Sequence, residues 1–533
     1  MKRIIYILML ALLVGACTDQ FEKYNTNPIQ ISDKSLTQDF NHVGAYYPNM
    51  LYNLFGHQCD EDLLHDNWVR HTGTPTAFCS GVNNTTYVMT WYGDYWNRIY
   101  DNVMAASFQV KKIAKAGNYD VFYQWAKLIE VMGLSKVTSY YGPVIYSKYG
   151  SGTTAAIEYD AEKDLYNSFF ADLDSVYNVF SVNTEYAGLK KFDASYAGDI
   201  NKWLKAVNSL RLRLAIRLSE IDPTLAKTQG EKAIKDKFGL ITANADNFMV
   251  SLYGNTMPLA VICYSWDDTR MGGAMESFMV GLKDGRISKM FAPVTDLTLV
   301  ADHPSVPYKG IHSGIFINAK DERIGFSKVN ESFKTATSRR AITAAEINFD
   351  LAEAALRGWD GAGDAKTNYE NGVKASFADW GAAGVADYLA DATSTPINYV
   401  DPKNPKNNFT SRSTITVAWN EADSKELKLE KIITQKWLDA FTNANEIWCD
   451  HRRTGYPKLP FNAKNDSNTT YGVVAANDFL RRIPFLQSEY TSNPTGVANA
   501  VNKLKNNTSG KDYINIPLYF DVNNLGTDTP SNF

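Results

Sequence analysis

The chain has 533 residues, 44% of them hydrophobic, which is enough for a large core and too apolar for bulk disorder. Its formal charge is −4, and removal of residues 1–16 would take away Lys2 and Arg3 and leave 52 basic against 58 acidic residues. That balance excludes a general nucleic-acid binder, which needs a basic face against phosphate, and adhesion to anionic lipid by charge alone.

In chain order, the basic head Lys2-Arg3 precedes an apolar run from Ile4 to Val14, and Val14-Gly15-Ala16 then leads into Cys17. This order predicts a bacterial export signal over 1–16. The run is too short to span a bilayer, which takes about 20 apolar residues. Cysteine directly after small residues resembles a lipobox, so Cys17 is expected to be lipidated and to anchor the chain by acyl chains. Residues 17–34, with Asn25-Thr26-Asn27-Pro28, form a polar, turn-rich tether. Residues 35–533 are expected to be one domain.

Helical spacing of apolar residues then dominates. It predicts helices over 94–116, 119–140, 160–180 with Asp160 as N-cap, and 199–218. Further helices are expected from Ile342 to near Gly358, from Asp364 through Trp380, over 424–441 and over 445–453. These make four helix pairs, the logic of tetratricopeptide-like scaffolds in which each pair buries a face against the next. Periodicity breaks down near 248–331 and 390–420, which predicts loop-rich insertions, with a short strand at Thr414–Ala418. The stretch 454–533 is also loop-rich.

Loops on a rigid scaffold usually carry the binding groups. The segment Cys263-Tyr264-Ser265-Trp266-Asp267-Asp268-Thr269-Arg270 combines an aromatic platform, two carboxylates and a guanidinium. Sugars present apolar C–H faces to indole and hydroxyls to Asp and Arg, so Trp266, Asp267, Asp268 and Arg270 are the leading ligand candidates. Asn83-Asn84-Thr85-Thr86-Tyr87, continuing to Trp91 and Tyr92, is the second candidate segment, followed by Trp68, Arg70 and Tyr308. The composition fits: 31 Tyr, 11 Trp and Asn-rich loops suit polar ligands, although a large helical core uses aromatics as well.

His57 to His65 gathers metal-ligand residue types without a complete set at ligand spacing, so no metal is expected. Asp267-Asp268 are sequence neighbours, poorly placed for a glycosidase pair about 5 Å apart across a bond. With no G-x-S-x-G elbow and no phosphate loop, no catalytic residue and no cofactor are expected. Single buried cysteines are the default expectation, although Cys59 and Cys79 are close enough in sequence to bridge in an oxidising compartment.

Several segments, taken in order, resemble one family. They are Asn25-Thr26-Asn27-Pro28 after the lipobox, Asp199 to Arg213 (DINKWLKAVNSLRLR), Glu346 to Trp359 (EINFDLAEAALRGW), Gln435-Lys436-Trp437-Leu438, Asp450 to Pro457 (DHRRTGYP), and Arg481 to Phe485 with Glu489 and Asn493-Pro494 behind it. Together they resemble the SusD/RagB lipoproteins of Bacteroidetes. The resemblance implies a mainly α fold on four tetratricopeptide-like pairs, anchored by lipid at the outer membrane on the cell surface. It also implies a TonB-dependent, SusC-like transporter as partner and a captured nutrient, usually an oligosaccharide; a peptide or glycopeptide ligand is the runner-up, and a lipid-anchored hydrolase comes third. The matching residues Trp203, Arg211, Arg213, Glu353, Arg452 and Arg453 are implied to hold helices together through partly buried ion pairs. The ligand residues differ between family members and do not transfer by motif.

Overall fold

Helix-forming stretches begin where a short polar side chain can satisfy free backbone amides, and five long helices here start that way. A computed structural model describes residues 37–152 and 156–533; the expected signal peptide, Cys17 and the tether lie outside the described residues. Among the described residues no helix is long and apolar enough to cross a membrane.

After α1 (Tyr47–Tyr52), one continuous helical run comprises α2 (Asp94–Arg98), a π-helical turn (Ile99–Met104) and α3 (Ala105–Gly117). Asn118, at φ 55°, ends it in the left-handed conformation that Asn tolerates. The chain then reverses into α4 (Asp120–Tyr141), almost wholly buried along its second half. Next come α5 (Glu162–Phe180), α6 (Ile200–Arg217) and α7 (Pro223–Ile234). Asp199 caps α6 by accepting from the amides of Asn201 and Lys202, and Asp222 caps α7 by accepting from Leu225 N.

Farther on lie α8 (Gly273–Gly281), α9 (Ala344–Leu356) and α10 (Ala365–Trp380). They are followed by α11 (Lys425–Asp439) and α12 (Ala444–Thr454). Thr343, Asp364 and Ser424 cap α9, α10 and α11. Helix α3 packs on α4, α4 on α5, α5 on α6, and α6 on α7 and α9; α9 packs on α10 and α11, and α11 on α12. This mainly helical arrangement is the one expected from the sequence.

Local details differ from expectation. Asp160 does not cap α5, which starts after Ala161; its carboxylate instead accepts from the amides of Tyr146 and Ser147 and holds the preceding turn. Thr414–Ala418 is not a strand, because no neighbouring strand offers a ladder there. Ile342 ends a strand rather than opening a helix. The 248–331 region holds α8 and two strand segments besides its loops.

The described strands form two antiparallel pairs. Strand β1 (Thr72–Gly73) pairs with β3 (Arg270–Met271), and β2 (Phe248–Ser251) pairs with β4 (Ser338–Ile342). One large apolar core runs from Val43 to Leu525, with a small satellite around Val300 and Ile311. At its centre Trp125 stacks on Tyr47 at 3.9 Å and meets Trp203 edge-on at 5.5 Å.

Buried ion pairs tie α6, α9, α11 and α12 together. Arg213 binds Glu346 at 2.6 and 2.7 Å, and Arg217 binds Glu446. Lys436 lies 2.6 Å from Asp350 and 2.8 Å from Asp450. Arg453 makes a two-pronged contact with Glu353 at 2.6 and 2.8 Å and reaches Asp450 at 2.9 Å. Removing one partner of such a pair strands a charge in low dielectric. Arg211 pairs with Asp174 at 2.5 Å. Arg452 is an exception to the implied ion-pair role. It donates to the carbonyls of Trp448 and Arg481 and lies 3.5 Å over the Trp448 ring.

Candidate ligand-binding face

The shorter of the two described sheets lies at the root of the loop that carries the exposed Trp266. Antiparallel pairing places the residues leaving β1 opposite those entering β3. Thr72 faces Met271 and Gly73 faces Arg270, so the loop 74–80 must run alongside the loop 264–269. The approach is close: a Cβ on Gly73 would lie 2.5 Å from Ile311 O, and one on Gly272 would lie 2.0 Å from Arg70 O. Glycine is required at both positions.

Across this gap Thr76 Oγ1 donates to Asp268 Oδ1 at 2.6 Å. Lys320 Nζ donates to the same oxygen at 2.7 Å and to the Trp266 carbonyl at 2.6 Å, and Gln58 Nε2 reaches Asp268 Oδ2 at 3.4 Å. Asp267 accepts from Arg270 at 3.0 Å and lies 2.7 Å from Lys328 Nζ. Desolvation pushes the Asp267 carboxyl upward, but the hydrogen bond from Lys328 and the charge of Arg270 outweigh it, holding the group below its usual range. Both aspartates therefore act as ion-paired struts of the loop.

What the struts present is Trp266. A π-helical turn (Val261–Ser265) delivers it to the surface, 43% exposed, with the His57 ring 5.4 Å away on one side. The second indole, Trp91, is 50% exposed and meets the ring of Phe78 edge-on at 6.0 Å. Phe78 stands two residues beyond Thr76, so a continuous path runs Trp266, Asp268, Thr76, Phe78, Trp91. Along it Asp267, Cys79, Ser80 and Trp91 all adopt positive φ, between 48° and 59°. Non-glycine residues held in that region cost energy, and such strain gathers at functional sites.

Trp91 is held from behind. Asn84 Nδ2 donates to Thr90 O at 2.5 Å, and Thr90 N donates to Asn84 Oδ1 at 2.6 Å. Beneath that clamp the Trp68 indole N–H donates to Asn84 O at 3.0 Å.

These contacts correct part of the sequence-based list. Trp68 is buried and props the loop instead of meeting a ligand, because its N–H and ring are used inside. Arg270 is wholly buried, with its guanidinium on Ile324 O, Thr269 O and Asp267. Arg70 is buried on Pro460 O and Asn462, and Tyr308 is buried in the core. Asn83 to Tyr87 are buried turn residues with Asn83 as a helix cap. Tyr92 is half-buried beside Tyr471, and its hydroxyl is pushed up to about 12 by burial. A path of contacts links Trp266, Asp267 and Asp268 to Trp91 through Thr76 and Phe78, and Gln58 and Lys320 join it at Asp268; sequence reasoning missed these last four residues. Only their link through the 72–271 ladder unites them, and a two-residue ladder has no sequence signature.

No metal site accompanies this face among the described residues. The one group there with three potential ligand side chains, Glu276, Asp302 and His303, already has Lys309 Nζ 2.7 Å from Glu276 Oε1. Two interior cavities hold about 20 Å³ each, room for a water and not for a sugar ring. Cys59 and Cys79 are unbridged.

Comparison with known proteins follows the same line. Residues 23–521 match the family model described as SusD-like, Susd and RagB outer membrane lipoprotein. A chitin-binding SusD homologue from Flavobacterium johnsoniae is 38% identical, with a TM-score of 0.84 over 91% of this chain and 100% of that one. A SusD homologue from Bacteroides uniformis is 33% identical, with a TM-score of 0.81 over 90% and 99% of the two chains. A SusD-like protein from Bacteroides thetaiotaomicron is 30% identical, with a TM-score of 0.81 over 90% and 98%. No curated protein matches the chain.

Proposed function

The chain belongs to the SusD/RagB family of outer membrane lipoproteins, and from that premise we propose that it captures oligosaccharides on its Trp266–Trp91 face. The ligand class we favour is a chitin-type oligomer of N-acetylglucosamine. A 38% identical relative is described as chitin-binding. What supports the reading is the presence of two exposed indoles, Trp266 and Trp91, linked by the contacts of Asp268 with Thr76 and of Phe78 with Trp91. Each indole offers a flat apolar platform to a sugar ring, and the polar groups between them suit hydroxyls.

Delivery to a TonB-dependent, SusC-like transporter is the second half of the proposal, with Cys17 as the lipid anchor at the cell surface. A lid over a transporter barrel gives a binding protein of this size a use for a single open face. Capture of peptides or glycopeptides would use the same face. A hydrolase is disfavoured by the aspartates, because both carboxylates are taken up in ion pairs that brace the loop.

Isothermal titration calorimetry against N-acetylated chitin oligomers, other glycans and a peptide panel tests the ligand class. Binding of the acetylated tetramer, weakened on Trp266→Ala, is expected. Selective binding of peptides with silence towards every glycan would overturn the proposal. Co-purification in mild detergent tests the partner: a large barrel protein should accompany the chain, and recovery of the chain alone from cells expressing a neighbouring porin would count against delivery.

A further inference from the structure

We propose that the cleft beside the π-helical turn Ile99–Met104 is a second ligand site, separate from the Trp266–Trp91 face, and that it takes a sugar carrying a free ammonium group. The cleft encloses about 330 Å³ and is lined by Trp96, Asn97, Tyr100, Asp101, Tyr149 and Glu489 among others, with no lysine or arginine among the described residues of its wall. Binding pockets for small ligands begin near this size.

The wall is built and stiff. Tyr100 donates to Ile145 O at 2.8 Å and accepts from Ile145 N at 3.0 Å, which fixes its ring as a panel. Tyr149 stands 5.9 Å from that ring and Trp96 4.8 Å from it on the other side. The π-helical turn, one residue wider than an α-turn, shifts Tyr100 and Asp101 out of the register of the flanking helices. Glu489 comes from a distant part of the chain and is positioned by the Tyr159 hydroxyl, which donates to Oε2 at 2.5 Å.

Charge decides the ligand class. Two carboxylates and the rings of Tyr100 and Tyr149 make the cleft negative, and ring faces attract cations, while buried Trp96 backs the wall. A sulfated or uronic sugar would be repelled, and a fully acetylated one would leave both carboxylates without a counter-charge. A lysine side chain would neutralise them but would leave much of the volume to water. A hexosamine with a free amine offers an ammonium and an apolar C–H face together. The inference rests on the glycan reading of the chain, but on different residues.

The test uses glucosamine tetrasaccharide and its N-acetylated counterpart, titrated calorimetrically into the wild type, a Trp91→Ala/Trp266→Ala double variant, Asp101→Asn and Tyr149→Ala. The double variant should still bind the free-amine tetramer, more weakly as salt rises. Asp101→Asn should weaken that binding about three- to tenfold, with no effect on the acetylated tetramer. Asp101 is exposed, so its substitution leaves the fold intact. Unchanged affinity for the free-amine tetramer in both Asp101→Asn and Tyr149→Ala, or no binding to the double variant, overturns the inference. Failure of the first site reads differently: the acetylated tetramer would then be indifferent to the double substitution.

Discussion

Replacing Trp266 by alanine tests the ligand face most directly. The side chain is 43% exposed, which for an aromatic of up to about 250 Å² leaves roughly 100 Å² in water. A stacked sugar ring covers about half of that and loses a similar apolar area of its own, so about 100 Å² leaves water in total. At about 25 cal/mol per Å² the contact contributes about 2.5 kcal/mol. Part is lost to ordering on binding, so the expected loss is about 1–2.5 kcal/mol, a factor of roughly 5 to 70 in affinity. Calorimetry with an N-acetylated chitin tetramer reads that factor, and a thermal melt should show the fold unharmed. Trp203→Ala is the control: its ring is wholly buried and its N–H donates to Asp193 at 2.7 Å. Truncating it should cost about 3–5 kcal/mol of stability and lower the melting temperature by several degrees. Full affinity with early melting in Trp266→Ala would make Trp266 a packing residue and refute the reasoning.

Asn84→Ala should release Thr90 and weaken ligand binding severalfold through misplacement of Trp91, and should cost nothing further in a Trp91→Ala background; calorimetry on the single and double variants measures this, and additive losses would show that Asn84 does not act through Trp91. Arg453→Leu should destabilise the fold by about 3 kcal/mol in denaturant titration, because buried Glu353 loses its two-pronged partner and keeps only Arg357, at 2.8 Å. Glu162 is pushed up to about 7 by burial, against an opposing hydrogen bond from Tyr519 N. Its folded value therefore lies above the unfolded one, so its contribution is present below about 4.5 and falls away as pH rises through about 7. Glu162→Gln should flatten the stability profile across that window, and an unchanged slope in pH-dependent denaturation would contradict it. Cys17→Ala should abolish lipid modification and release the protein from membranes on fractionation; a variant still acylated and membrane-bound would exclude the lipobox.

The scaffold was legible because its signals are local. Apolar spacing and the capping residues Asp199, Asp364 and Ser424 lie within a turn or two of what they control. Helix α7 went unseen although Asp222 caps it and Pro223 opens it, since its short apolar stripe is interrupted by polar residues. The site was legible only in part. Trp266, Trp91 and Trp68 are equivalent as letters, and which of them faces water depends on what lies beneath. Trp68 lies over Trp448 at 4.9 Å, a neighbour from the far end of the chain. Asp160 shows the same limit at short range: two nearby turns competed for one carboxylate, and the Tyr146–Ser147 amides won.

The ladder joining Thr72 to Met271 has a consequence in time as well as in space. It closes a loop of roughly two hundred residues, an event that must wait for most of the intervening helices because closure entropy is unrewarded until they pack. Both halves of the ligand face hang from it. On the proposed reading, a chain caught midway through folding thus has its two indoles in separate places and no assembled Trp266–Trp91 face. Once the ladder has formed, a ligand spanning Trp266 and Trp91 binds only the completed molecule, and by mass action it stabilises the whole fold against opening at that seam. Competence to bind and completion of folding become the same event, so saturating sugar should slow proteolysis at sites far from the face it occupies.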